Sequence, residues 1–299
     1  MKKKVLLTGG YGFVGSAVNR ALSTEYDVIT IGRNPKCDIK LDLCAIPDGL
    51  VLQDNYYAFV HCAGAIDEEF KLDFQGAWHR TVYGTSKLID IVQKARVERL
   101  VDISTAHVYG KQIGRIDEES QVDPISDYAL AHFIVEQKFK HSGKNTLVLR
   151  PSTIYGISSY MEQYSRHNLI PYAFVRDMLE HKCINIHTSG DQQLNFVHVD
   201  AIGMLIKKYL DQNEIKTSCQ AINVAGHEHL SVVNYANMVA EEYFSKTGIK
   251  GKVTCNPTKK IGDPNFLYCS KYVIDSGCSV REEIDLLMKK LSLSINEGF

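Results

Sequence analysis

Short apolar runs alternate with stretches of helical spacing through the first half of the chain. Lys4–Thr8, Val28–Ile31, Ala58–Cys62, Leu100–Ser104 and Thr146–Leu149 have strand length. Between them, Phe13–Ser23, Gly76–Ala95 and Asp127–His141 repeat apolar residues every three or four positions and predict helices. Such alternation implies right-handed crossovers and a mostly parallel sheet, so the fold class is α/β. Past residue 151 the pattern loosens. Tyr155–Leu169 reads as a loop, Phe174–Glu180, Val199–Leu210 and Val232–Phe244 as helices, and Lys252–Cys255 as a late strand, with a last helix near Arg281–Leu291. The expected organisation is a sheet domain over residues 1–155, completed by later segments, and a smaller lobe mainly from 156–299. That lobe should lie on the carboxyl edge of the sheet, where open α/β folds place ligands.

Composition narrows the class. The chain has 299 residues, 44% of them apolar, enough for a sizeable core. With 34 basic against 35 acidic residues, nothing points to nucleic acid. Met1-Lys2-Lys3-Lys4 precedes an apolar run too short for a signal sequence, and no stretch has membrane length. The eight cysteines form no Cys-x-x-Cys, and no histidine pair accompanies them at zinc spacing. His227 and His229 lack a third ligand at metal spacing. These features predict a cytoplasmic protein with reduced thiols and no bound metal.

The first strand runs into Thr8-Gly9-Gly10-Tyr11-Gly12-Phe13-Val14-Gly15 and then a helix. Glycines at this junction let backbone amides approach a pyrophosphate at a helix N-terminus, where a Cβ would intrude. A tight turn used only for packing is the other reading, but the strand before and helix after favour a dinucleotide. The fold is therefore a Rossmann-type doubly wound sheet, with Gly9, Tyr11, Gly12, Phe13 and Val14 at the cofactor. The second strand ends in Thr30-Ile31-Gly32-Arg33-Asn34, without the acid that binds the ribose 2′-OH of NAD. Arg33 suits a 2′-phosphate, so NADP is expected, with NAD as the alternative. Asp42 and Leu43 could border the adenine.

Reduction of a carbonyl needs a phenol that gives a proton, a cation to tune it, and a hydroxyl on the substrate oxygen. Tyr83-Gly84-Thr85-Ser86-Lys87 is a literal Tyr-x-x-x-Lys, but it precedes the strand Leu100–Ser104. Tyr128-Ala129-Leu130-Ala131-His132 follows that strand, with histidine where lysine is wanted.

Thr8–Gly15, His61-Cys62-Ala63-Gly64, Ser104-Thr105-Ala106-His107-Val108-Tyr109-Gly110, Leu149-Arg150-Pro151 with Tyr155-Gly156, Phe196-Val197-His198-Val199-Asp200 and Ile222-Asn223-Val224 occur in one order. Together they resemble the extended short-chain dehydrogenase/reductases, the NAD-dependent epimerase/dehydratase family, over nearly the whole chain. The resemblance implies a nucleotide-sugar substrate and a homodimer through the helices at 76–95 and 127–141. It assigns catalysis to Thr105 and Tyr128, with His132 in the lysine's place, and leaves Tyr83 and Lys87 structural. It puts Cys62, Ala63, Gly64 and Ser104 at the cofactor, and His107, Thr153, Tyr155 and Lys260 toward the substrate. His61 reads equally as packed or as a ligand contact, and His198 as part of a structural turn. Tyr155, Tyr160 and Tyr164 could line a sugar–nucleotide pocket by stacking on a base, or be ordinary loop residues. Thr81, Thr153 and His132 depart from the family's Asn, Asn and Lys, and Lys260 stands near a family Arg. The expected activity is reduction of a 4-keto-6-deoxy sugar on a nucleotide diphosphate. A 4-epimerase holding NAD is one alternative, and a dinucleotide-binding regulatory subunit without catalysis is another.

Overall fold

In a computed structural model, which describes residues 2–52, 55–157, 169–212, 218–272 and 274–296, seven parallel strands form the central sheet. Their order across the sheet is Cys219–Val224, Asn145–Pro151, Arg99–Ile103, Ala58–His61, Lys4–Thr8, Asp27–Gly32 and Ile39–Lys40. The order reverses between Lys4–Thr8 and Ala58–His61, where Val5 lies opposite Ala58 and Thr8 opposite His61. Crevices at such reversals are the usual ligand sites of doubly wound folds.

Alternating residues build two layers. Leu6, Phe59 and Leu100 point to one face and pack against Leu88, Ile89 and Val92 of the helix Thr85–Lys94 and Val135 and Phe139 of the helix Asp127–Lys140. Val5, Leu7, Val60, Val101, Leu147 and Leu149 point to the other. There they meet Val18 and Leu22 of the helix Phe13–Leu22 and Ile202 and Ile206 of the helix Val199–Leu210. Two stretches beyond residue 155 thus belong to this body: that helix and the edge strand Cys219–Val224.

The remaining chain forms a lobe at the carboxyl edge. Thr153–Tyr155, Gln193–His198 and Glu228–Ser231 make a small mixed sheet, and Cys183–Ile186 pairs with Lys252–Cys255. The helices Ile170–His181, Val232–Thr247 and Val280–Asn296 close over a core that includes Tyr172, Val175, Phe196, Tyr235 and Ile284. Phe13 joins this core as well, so the first helix touches both bodies.

Several elements differ from the pattern reading. The span Gly76–Ala95 starts earlier, at Phe74, and breaks into a π-helical turn over His79–Gly84 before Thr85–Lys94. Asp67–Leu72 is a short helix, with Glu69 accepting from the Ile66 N–H. Phe196-Val197-His198 is the end of a strand, not a turn. Among the described residues no helix is long and apolar enough to cross a membrane. All eight cysteines are unpaired.

Candidate active site

The glycine turn is shaped by contacts that leave no space for a side chain. Gly9 has φ +66°, and a Cβ there would stand 2.8 Å from the carbonyl oxygen of Cys62. A Cβ on Gly15 would fall 2.0 Å from the carbonyl oxygen of Gly9. The Gly12 N–H donates to Gly9 at 2.8 Å, and the helix Phe13–Leu22 starts directly after it. No side chain caps that helix and no acid lies in its first turn. The positive end of the helix dipole is therefore not neutralised by the protein's own carboxylates, as a phosphate site requires.

Thr8 fixes the neighbouring loop. Its hydroxyl accepts from the N–H groups of Cys62 (3.1 Å) and Ala63 (3.3 Å). Its own hydrogen then goes to Nδ1 of His61, 2.9 Å away, and Nε2 of His61 donates to Thr85 at 3.1 Å. Burial, with His132 nearby, pushes the His61 pKa down to about 3. His61 is thus neutral and packed, which decides between its two readings.

At the end of the second strand Arg33 is exposed, with no partner among the described residues. The nearby acid, Asp38, is turned away: it accepts from the Thr30 N–H (2.8 Å) and hydroxyl (2.6 Å), which hold its carboxyl below the usual range. The Tyr11 hydroxyl donates to the Lys36 carbonyl at 2.9 Å and ties the glycine turn to this loop. Asp42 accepts from the Cys44 N–H at 2.9 Å. Leu43 is a core residue rather than a surface contact, its carbonyl pressed against Gly84.

Tyr128 and His132 share one helix, which packs against the 3-10 helix that Thr105 opens. Thr105 begins the 3-10 helix Ala106–Tyr109 and accepts from the His107 N–H at 3.2 Å, which leaves its hydroxyl hydrogen to donate. Ser126 caps the helix Asp127–Lys140 by accepting from the Ala129 N–H at 3.2 Å, which places Tyr128 in its first turn. One turn later His132 sets its ring centroid 4.6 Å from that of Tyr128, edge to face. Gly64 and Thr81 lie behind His132, and Thr81 accepts from the Ala65 N–H at 3.0 Å. His107 and Phe70 pack edge-on to Tyr128 at 6.0 and 6.1 Å. Solvent reaches His107, yet protein surrounds much of it; that desolvation, with Lys71 close by, lowers its pKa. Tyr83 is 61% exposed, and Lys87 bonds to the Ile46 carbonyl and to Asp48, so neither joins this group.

A profile of the NAD dependent epimerase/dehydratase family matches residues 5–225. The chain belongs to this family. It is 30% identical over 243 residues to the human dTDP-D-glucose 4,6-dehydratase, a match covering 69% of this chain and 66% of that protein. The chain thus spans just under two thirds of that relative's length. It is 23% identical to the dTDP-4-dehydro-6-deoxy-D-allose reductase of a Streptomyces species, covering 89% of this chain and 87% of that one. Its fold superposes on the UDP-glucuronic acid 4-epimerase of Bacillus cereus in complex with NAD, with TM-score 0.76 at 20% identity, covering 96% and 99% of the two chains. The relatives and the structural neighbour named above are each described as acting on a nucleotide-linked sugar.

Other residues drawn from this family's pattern are placed as follows. Ser104 is buried and donates its hydroxyl to Glu136. Glu136 is held bidentately by Arg150 at 2.9 and 2.6 Å, and Arg150 also donates to the Tyr109 hydroxyl at 2.9 Å. Thr153 is half-buried opposite Phe196. Tyr155 is buried: its hydroxyl donates to the Cys278 carbonyl and its ring packs on Phe196 and His198, not on the groups around Tyr128. Lys260 is exposed on a loop. Tyr160 and Tyr164 lie outside the described residues. Sequence reasoning passed over the helix Asp67–Leu72, whose Phe70 walls the crevice and whose Asp67 and Lys71 form an ion pair close enough to influence His107. Three acids in its first turn were the available signal. It also passed over the buried Arg150–Glu136 pair, which no local spacing reveals.

Proposed function

We propose that the protein is an NADP(H)-dependent oxidoreductase that reduces the carbonyl of a 4-keto-6-deoxy sugar carried on a nucleotide diphosphate. The observation that carries the cofactor choice is Arg33. It stands free at the end of the second strand, while Asp38, the acid that could refuse a 2′-phosphate, is committed to Thr30. Net consumption of NADPH fits a reductase better than an epimerase.

The dinucleotide would be held by Gly9, Tyr11, Gly12, Phe13 and Val14, with Cys62, Ala63 and Gly64 across from them, and would supply the hydride. Tyr128 gives its phenol proton to the carbonyl oxygen, leaving an alcohol. Thr105, its hydroxyl hydrogen uncommitted, donates to the same oxygen and sets its position. His132 backs the Tyr128 ring and stands where it can bond a ribose hydroxyl. Phe70 keeps water from one side of the phenol. His107 faces the sugar as a neutral hydrogen-bond partner.

Two copies are proposed to join through the helical surface at Phe74–Lys94 and Asp127–Lys140. Apolar side chains stand exposed there: Phe74, Tyr83 and Leu130, with Leu72 (87% exposed) just before them. The cytoplasm is the proposed compartment. Sedimentation mass would show the dimer, and a monomeric mass would refute it.

The test is turnover of a panel of nucleotide-activated 4-keto-6-deoxy sugars with NADPH. Stoichiometric cofactor oxidation supports the reading. Inversion of a sugar without net oxidation would replace it with a 4-epimerase holding NAD. A second reading, a dinucleotide-binding regulatory subunit, is favoured by one observation: an imidazole, not an ammonium, stands beside Tyr128. No turnover in the wild type combined with turnover in His132→Lys would establish it.

A further inference from the structure

The lobe contains a cluster that plays no part in the chemistry above. His198 ends the strand Gln193–His198, Cys278 lies in the segment before the last helix, and Glu283 sits in that helix's first turn. These residues are far apart in sequence, so no spacing reveals them. In the fold their donor atoms all lie within 4.8 Å of one another. We propose that His198, Cys278 and Glu283 bind a zinc ion that fastens the C-terminal helix to the end of this strand. This revises the expectation of no metal drawn from cysteine spacing.

Three observations support the assignment. The first is distance. Nε2 of His198 is 3.5 Å from Oε2 of Glu283, and Sγ of Cys278 is 3.4 Å from the same oxygen. Tetrahedral zinc with bonds of about 2.0–2.3 Å separates its ligand atoms by roughly 3.3–3.7 Å. Two edges of that tetrahedron already exist.

The second is an unmet need. Glu283 is only 5% exposed, and its Oε1 is buried with no hydrogen-bond partner. A buried carboxylate oxygen without a partner is costly. A cation held by both oxygens of this carboxylate would satisfy it.

The third is donor chemistry. An imidazole, a thiol and a carboxylate suit zinc, whereas magnesium and calcium prefer oxygen throughout. The cluster borders a cavity of about 320 Å³ that His227, Glu228 and Asp275 help to line, from which a water can complete the coordination. Nδ1 of His198 accepts from the Asp200 N–H at 3.2 Å. Zinc on Nε2 puts the ring proton on Nδ1 and gives up that bond, and the ring N–H then turns to the Asp200 carboxylate, 3.9 Å away. The Cys278 thiol loses its proton to solvent on loading.

The experiment titrates zinc into chelator-treated full-length protein, with bound metal read by equilibrium dialysis and elemental analysis. A cobalt(II) titration reports the thiolate by its charge-transfer absorption. One zinc per chain is expected, with a rise in Tm. Cys278→Ser should abolish the charge-transfer band and weaken zinc binding about 100-fold, and Glu283→Gln about 10-fold. Wild-type protein that binds no stoichiometric zinc overturns the proposal, whatever the variants do. So does a cobalt band that survives in Cys278→Ser, because the other cysteines would then be its source.

Discussion

The glycine turn and the helix that carries Tyr128 solve different problems. At Thr8–Gly15 the protein works through its backbone, and the requirement is the absence of side chains. Any Cβ at Gly15 meets the Gly9 carbonyl, so sequence and structure cannot part company there. On the helix Asp127–Lys140 the requirement is a functional group at one position. His132 fills the lysine's place while the helix, its Ser126 cap and its packing stay intact. Backbone recognition is thus bound to the fold, and side-chain chemistry is free to change upon it.

Substitutions can test that contrast. Tyr128→Phe is expected to lower kcat about 1000-fold with the fold unchanged, read as NADPH oxidation. A loss below threefold would remove the phenol from the reaction. Gly15→Ala should weaken dinucleotide binding about 100-fold, followed by nicotinamide fluorescence, because the turn must open to admit the methyl group. Unchanged affinity would mean that the turn does not cradle phosphates. Arg33→Ala should cost about tenfold in NADPH affinity and leave NADH within a factor of about two. Equal losses for both coenzymes would end the NADP assignment.

Asp102 tests the floor shared by both sites. It lies opposite His61 in the sheet, with both carboxylate oxygens buried and unpartnered. Burial first, and Glu136 second, raise its pKa well above the usual carboxylate value. The folded state therefore holds this proton more tightly than the unfolded chain. Stability is fully present below the unfolded pKa and is lost as pH climbs toward the folded one. Asp102→Asn should raise Tm at neutral pH by the equivalent of about 1 kcal/mol, and the gain should vanish in acid. A gain independent of pH would mean that the carboxyl does not titrate in this way. Least affected should be Lys87→Ala in the Tyr83/Lys87 pair: kcat within a factor of about two and an unchanged Tm, since its ion-pair partner Asp48 is fully exposed.

The sheet half was legible because one residue type carried one meaning. Apolar runs marked Lys4–Thr8 to the residue and Ala58–His61 to within one, and the helix Val199–Leu210 and the strand Lys252–Cys255 were also read to the residue. The edge strand Cys219–Val224 was not read as a strand, since its outer residues, Cys219 and Gln220, are exposed and polar enough to mask the pattern. Gln193–His198 was hidden for a different reason: its partners, Thr153–Tyr155 and Glu228–Ser231, are remote in sequence. Around Tyr128 the order of motifs set Tyr128 apart from Tyr83, but the packing of Phe70 and the Arg150–Glu136 pair depends on folds of the chain that no window spans. For Tyr155 the sequence left two readings open, pocket lining or an ordinary residue, and the fold commits its hydroxyl to the Cys278 carbonyl.

The late arrival of the edge strand has a consequence for biosynthesis. Asn145–Pro151 is flanked by Arg99–Ile103 on one side and by Cys219–Val224 on the other. A nascent polypeptide that has emerged only through residue 151 would present that apolar ribbon with one whole row of amides and carbonyls open to any passing strand. Closure must wait for roughly seventy more residues, several seconds of translation at ordinary ribosome speeds. Chaperone demand during synthesis should peak in that interval.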